Sequence, residues 1–335
     1  SRSEPAASVS APEAAQADAS GLEVHFLDIG QGDSALLFCG DETLLIDGGK
    51  VKNNQKLIAR LKELEVDHLD AVICSHPDED HCGGLSAVLA STRTDAFYCS
   101  VDSWHTKVFS DVTKYVAEQG ISVTIPQAGD TFAFSDASVE FLGPVVDYGD
   151  DPNEGSLVAR VRYGETSFLF TGDMGFEAED DMLAAGVDVS ATVLKVAHHG
   201  SAGSSSTEFL QAVHPQYAVI SVGADNDYGH PTEAALNRLS ACGIPVYRTD
   251  LLGEIIAVSD GKTVTITSAS NEAPPASDAA SQTAGSYGYV GNSSSKVVHL
   301  ASCGKLPGES NRVYFASLDE ALAAGYRKHA NCLGN

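Results

Sequence analysis

The sequence has 335 residues, 43% of them hydrophobic, with 20 Lys+Arg against 46 Asp+Glu and a net charge of −26. That length allows two or three domains with sizeable cores. The acidity excludes a protein that coats polyanions through bulk surface charge, because its field repels them. It leaves open an enzyme that meets phosphate through bound cations, whose charge dominates at close range.

Residues 1–20 are Ala, Ser or Pro at fourteen of twenty positions, without apolar periodicity, which predicts a disordered tether. A tether of this kind at such a start points to a processed secretory or lipoprotein precursor, hence to an extracellular or cell-surface location with anchoring through the tether. Strands are expected at 22–28, 34–39 and 43–47, a helix at 53–65, and a strand at 69–75. A helix follows at 106–119, a strand run at 157–170 and a helix at 176–185. A strand at 191–197, a helix at 206–213, a strand at 217–222 and a helix at 232–242 complete a core of 21–267. This alternation predicts an α/β fold, and the hairpin-rich first fifty residues predict a mixed sheet. Residues 268–286 repeat the tether composition and read as a linker to a small module, 287–335. That module has five basic and three acidic residues, a charge of +2, so the acidity lies before it: 15 basic against 43 acidic, or −28. No run of about 18 apolar residues appears, so no transmembrane helix is expected.

The segment CSHPDEDHCGG at 74–84 carries the clearest chemistry. His76, Asp78 and Asp80 alternate along an expected extended loop, with His81 beside them, a set suited to divalent metals. A solvated acidic turn is the competing reading, but like charges this close repel without a cation between them. Asp47 in LLIDGG, Asp173 in FLFTGDMG and the pair His198–His199 in VLKVAHHGS each end an apolar strand. Singly, such Asp-Gly ends are ordinary turn chemistry. Together they suggest loops gathered at one sheet edge.

HPDEDHCGG, with DIGQGDSALL, LLIDGG, FLFTGD, LKVAHHGS and ISVGADNDYGHP, resembles the metallo-β-lactamase superfamily. The closer likeness is to its branch in the C-terminal domain of the competence DNA-internalisation proteins (ComEC) and in free-standing secreted relatives. The resemblance covers nearly all of 21–267. It implies an αββα sandwich holding two divalent ions, zinc or manganese, along one edge. One metal falls to His76 and Asp78, and the other to Asp80, His81 and His199, with Asp173 bridging. Asp47 would orient ligands from behind. His198 would face substrate, and Asp80, Asp173 and His198 take the catalytic roles. His230, Asn153, Ser156 and Lys195 are the implied substrate contacts, although such a Lys is more often simply solvated.

Hydrolytic relatives place a further His between the first cluster and the bridging Asp. Here that stretch reads DPNEGSLV, with Asn153 and Ser156, and His105 lies on the helix pattern away from the matching position. More oxygen and less nitrogen at the first metal makes manganese or magnesium plausible beside zinc. The implied reaction is metal-dependent phosphodiester hydrolysis, first of single-stranded DNA. Alternatives are a phosphodiesterase acting on a smaller ester, such as a cell-wall phosphocholine, and a non-catalytic DNA- or wall-binding protein.

Seven scattered Cys give no disulfide framework. In the small module His299 and Cys303, then His329 and Cys332, form two ligand pairs typical of structural zinc; a Cys303–Cys332 disulfide is the alternative. Its helix SLDEALAAG has Ser317 as expected N-cap and Glu320 three residues later. The module resembles the Ada-type metal-binding module appended to secreted bacterial nucleases, with His329 where that module usually has Cys.

Overall fold

The computed structural model describes residues 21–224, 226–270 and 289–300 and, beyond them, 303, 305–308, 311–315, 318–329 and 332. The expected tether, nearly all of the expected linker and the Ser317 cap lie outside the described residues.

In chain order the core strands are β1 (Leu22–Phe26), β2 (Ala35–Cys39), β3 (Glu42–Ile46), β4 (His68–Cys74), β5 (Arg93–Cys99), β6 (Val123–Thr124), β7 (Thr131–Phe134) and β8 (Ala137–Gly143). Then come β9 (Val158–Tyr163), β10 (Thr166–Phe170), β11 (Val193–Lys195), β12 (Tyr217–Ile220), β13 (Val246–Arg248), β14 (Ile255–Ser259) and β15 (Val264–Ser268). The principal helices are α1 (Asn54–Glu63), α2 (Glu79–Cys82), α3 (Leu85–Ser91), α4 (Lys107–Glu118), α5 (Phe176–Ala184), α6 (Thr207–Val213) and α7 (Glu233–Ala241).

Two sheets result, ordered β15-β14-β1-β2-β3-β4-β5-β6 and β13-β12-β11-β10-β9-β8-β7. The first is mixed, as the hairpin-rich start predicts: β1, β2 and β3 pair antiparallel, whereas β3, β4, β5 and β6 run parallel. The run 157–170 is not one strand but the β9–β10 hairpin, turning at Gly164 with φ 58°.

Side-chain alternation divides the interior into three layers. In β10, Phe168 and Phe170 point between the sheets, into a cluster with Phe26, Phe141, Val161 and Ile73. Leu169 points the other way, against Met182, Phe209 and Leu239 of α5, α6 and α7. On the far side, Leu45, Val72 and Cys74 pack under Leu57, Val88, Phe109 and Val112 of α1, α3 and α4. Because both faces of each central strand are covered, these strands read as unbroken apolar runs. The result is an αββα sandwich. Helix starts follow local chemistry: the hydroxyls of Thr106, Ser206 and Thr232 accept from the backbone N–H of Phe109, Phe209 and Ala235.

The C-terminal residues form a second sheet system: β16 (Tyr289–Asn292), β17 (Val297–Leu300), β18 (Arg312–Phe315) and β19 (Arg327–Lys328), in the order β18-β16-β17-β19. Its core is small, built on Val298, Val313, Phe315, Ala321 and Tyr326.

Candidate metal centre

Strands β3 and β4 run parallel in one sheet, and β10 and β11 run parallel in the other. Their C-terminal ends release Asp47, His76, Asp173 and the His198–His199 pair at one edge of the sandwich. The extended loop expected over 76–81 is only half present. Asp78 is extended, but Asp80 and His81 lie in the first turn of α2. Turning the chain into a helix there swings Asp80 and His81 back toward the strand end. Glycines let the loops close on one another: a Cβ on Gly84 would collide with the Gly48 carbonyl, and one on Gly32 with the Asp80 carbonyl. Asp47, His198 and His199 sit at φ 58°, 50° and 52°, a left-handed conformation that costs energy for residues other than glycine and collects at functional sites.

Asp173 is the hub. Its Oδ1 lies 3.0 Å from His81 Nε2, and its Oδ2 lies 3.6 Å from both His199 Nε2 and His198 Nε2. His199 Nε2 is also 3.6 Å from Asp80 Oδ2, and His76 Nε2 is 3.9 Å from Asp78 Oδ2. His199 is buried, whereas the His198 side chain remains 31% exposed and faces the opening.

A ring of residues fixes the outer nitrogens. Asp47 accepts from the Ser75 backbone N–H at 2.7 Å and the Ser75 hydroxyl at 2.8 Å, and lies 2.9 Å from His81 Nδ1. Behind His199, Nδ1 lies 2.9 Å from the Ser221 carbonyl and 3.1 Å from Asp33 Oδ1. Asp33 in turn binds Lys195 Nζ at 2.6 Å. These contacts direct the Nε2 atoms of both imidazoles inward.

Asp33 was not singled out by sequence reasoning. The signal available was DIGQGD, a Gly-rich strand exit like the others. Three further expectations are corrected. Lys195 is neither solvated nor a substrate contact: it is 3% exposed and is consumed by Asp33 and the Val196 carbonyl. Ser156 is fully buried and does not line the cleft; its hydroxyl accepts from the Asp173 backbone N–H at 3.1 Å and lies 3.3 Å from His76 Nδ1, so it backs those two residues. His105 precedes α4 rather than lying on it.

The electrostatics follow from crowding. Burial lowers the basicity of His81, but Asp173 and Asp47 outweigh it and hold the imidazole well above its ordinary range. Burial likewise opposes charge on His199, which Asp173, Asp33 and Asp80 push up to about 10. His76, buried and beside the His81 charge, falls to about 3. Burial raises Asp173, yet His81, His199 and His76 drive it well below the carboxylate range. The carboxylates thus create a strong demand for positive charge.

The donor set fits divalent cations. His76 Nε2, His81 Nε2, His199 Nε2 and Asp173 Oδ1 are buried and make no hydrogen bond of acceptable geometry. Such orphaned polar atoms are costly unless a ligand satisfies them. Asp33 belongs to a cluster with His81, Asp173 and His199 whose ligand atoms lie within 4.8 Å of one another. Its carboxylate sits on the Nδ1 side of both rings, behind the centre.

Above this floor lies a cleft of about 220 Å³ lined by Gln31, Asp78, Asp80, Asn153, Asp173, His198, His199, Tyr228 and His230. Of the four expected substrate contacts, Asn153 and His230 reach it, and Lys195 and Ser156 do not.

In the C-terminal sheet, ligand atoms of His299, Cys303, His329 and Cys332 lie within 4.8 Å of one another. Cys303 and Cys332 are unbridged, and His329 Nδ1 lies 3.2 Å from Cys332 Sγ and 3.8 Å from Cys303 Sγ. His299 Nδ1 is buried without a hydrogen-bond partner.

A two-sheet sandwich with His and Asp ligands at strand ends defines a class, and the sequence comparison agrees: the chain belongs to the metallo-beta-lactamase superfamily, matching it over residues 27–224. Members of that superfamily are metal-dependent hydrolases, which supports an enzyme here. More particularly, it is 31% identical over 251 residues to ComE operon protein 3 of Bacillus subtilis (strain 168), covering 70% of this chain and 32% of that protein. It is 36% identical over 230 residues to competence protein ComA of Neisseria gonorrhoeae, covering 68% and 31% respectively. The match therefore spans about a third of the length of these relatives. Among solved structures, the metallo-beta-lactamase fold protein YhfI from Bacillus subtilis aligns with a TM-score of 0.48 at 13% identity, over 74% of this chain and 100% of that one. Among the described residues no helix is long and apolar enough to cross a membrane.

Proposed function

We propose that this chain hydrolyses phosphodiester bonds in DNA, preferentially single-stranded, at the cell surface or outside the cell. The observation that carries the reading is the convergence on Asp173 of buried imidazole nitrogens that make no hydrogen bond, beneath an open cleft that Asp173 and His199 line. Relatives named for competence support DNA as the polymer.

His76 and Asp78 would hold one divalent ion, and Asp80, His81 and His199 a second, with Asp173 between them. Zinc and manganese both suit this mixture of nitrogen and oxygen. Such a pair supplies Lewis acidity toward a phosphoryl oxygen and a water of lowered pKa. The protein's own contribution is order. Asp47 and Asp33 fix the rings of His81 and His199, and Ser156 ties His76 to the Asp173 backbone. His198, partly exposed and 3.6 Å from Asp173, is placed to give a proton to a leaving oxygen at the cleft. His230 and Asn153 line the same opening and would contact the diester. The acidic surface gives weak affinity for DNA that depends on cations. In the C-terminal module, His299, Cys303, His329 and Cys332 would hold one structural zinc, which a core that small needs.

The test is direct. Purified full-length protein is incubated with labelled single-stranded and duplex DNA under manganese, magnesium or zinc. Metal-dependent cleavage that is lost in Asp173→Asn supports the reading. DNA left intact under every metal, with turnover of a phosphocholine ester instead, overturns it in favour of the smaller substrate.

A further inference from the structure

We propose that Tyr228 is a stacking platform for a nucleobase of a single-stranded polynucleotide, next to the diester being cut. This rests on the phosphodiesterase reading above and names what its substrate must carry beside the phosphate.

Tyr228 is 58% exposed, more than any other large hydrophobic side chain among the described residues. It is not on an unrelated surface, for it lines the cleft with Asp80, Asp173 and His198. Hydrogen bonds of Asn226 tie its neighbourhood together. Asn226 Nδ2 donates to the Gly223 and His230 carbonyls at 2.9 and 2.7 Å. Its Oδ1 accepts from the backbone N–H of Tyr228 and His230 at 3.1 and 2.9 Å. One side chain thereby pins both aromatic residues, whose rings lie 5.7 Å apart at 23°. His230 in turn lies 5.6 Å from His198, so a graded set of rings leads from the solvent to the reacting centre. An exposed, prepositioned aromatic costs little entropy when a ligand stacks on it.

The remaining cleft groups fit the same ligand. Gln31 Nε2 is a buried donor and Asn153 Oδ1 a buried acceptor, and neither makes a hydrogen bond within the protein. Lys50 Nζ donates to the Tyr228 hydroxyl at 3.2 Å and lies 5.0 Å from the ring centroid. That ammonium disfavours a quaternary amine on the same ring and favours a neutral, flat base attached to an anion. A choline headgroup would want the ring without a resident cation. Base–aromatic stacking is sequence-tolerant, because every base has a π-face, so the platform predicts little sequence preference and a need for unpaired bases.

The experiment compares, on the full chain with manganese, a single-stranded oligonucleotide and the same backbone with abasic residues. The parent should use the base-bearing strand with a KM lower by roughly 5- to 100-fold. Tyr228→Ala should bring that ratio toward one, and Tyr228→Phe should keep it, with thermal melts confirming that both variants fold. Equal KM values for the two strands in the parent, or an unchanged ratio in Tyr228→Ala, would overturn the platform alone while leaving DNA hydrolysis standing. A parent that cuts neither strand but turns over a phosphocholine ester would overturn both readings.

Discussion

Replacing Asp47 by Asn isolates one carboxylate that touches no substrate. Asn tolerates the left-handed conformation that Asp47 adopts at φ 58°, so the backbone stays in place. The amide oxygen can keep the bond from the Ser75 backbone N–H. The amide nitrogen then faces the Ser75 hydroxyl and His81 Nδ1, donors that Asp47 now receives. A hydrogen bond to a charged group contributes about 1.5–3 kcal/mol. Losing the one that orients His81 should weaken metal binding by roughly 10- to 100-fold, the usual effect of removing such a partner. That factor is about 1.4–2.8 kcal/mol, which matches the bond lost. The assay is competition for manganese or zinc against a chelating dye, with circular dichroism to verify folding. Ser75→Ala keeps the Asp47–His81 contact but removes a hydroxyl 3.2 Å from His81 Nδ1 and 3.0 Å from His76 Nδ1, so it should weaken metal binding too, by less than the loss of the charged partner. A folded Asp47→Asn protein with metal affinity within twofold of the parent would refute the orienting role.

Lys195→Met should destabilise the protein by about 3–5 kcal/mol in denaturant titration, because it strands the buried Asp33 carboxylate beside His199. Adding Asp33→Asn should recover much of that loss, and strictly additive effects would count against the pair. A second test concerns His25, which is buried; burial lowers its pKa, but the flanking Glu23 and Glu254 outweigh this and raise it. A raised folded pKa gives stability that is complete below the unfolded value of about 6.5 and is lost as pH rises through the folded value. The parent should therefore lose stability above about pH 6.5, by roughly 1.4 kcal/mol for each pH unit separating the folded from the unfolded value. His25→Gln should lack that component, so parallel pH curves for parent and variant would refute it. Finally, a strong chelator should lower the melting temperature, since binding to the native state alone stabilises it. No change on chelation would argue that the converging imidazoles hold no ion.

Much of the candidate centre was legible because its proposed ligands cluster along the chain. His76, Asp78, Asp80 and His81 are metal-ligating residue types within six positions, and Asp47, Asp173 and His199 each follow an apolar strand. The alternation of strands and helices likewise predicted α/β, since a strand covered on both faces must be apolar throughout. The β9–β10 hairpin was missed although Gly164–Glu165, between the paired Tyr163 and Thr166, is a two-residue turn signal.

The tertiary structure alone decided which polar residues face the cleft and which stand behind it. Lys195 sits on β11 and Asp33 follows a distant strand, so nothing local marks them as partners. Only sheet pairing brings their loops together, and only burial turns a surface-type lysine into the counter-ion of a carboxylate. Ser156 moved from the opening to the interior for the same reason. Residue type and spacing along the chain determine which groups can ligate. The direction of each side chain depends instead on strand register and on helix α2, whose first turn aims Asp80 and His81 inward.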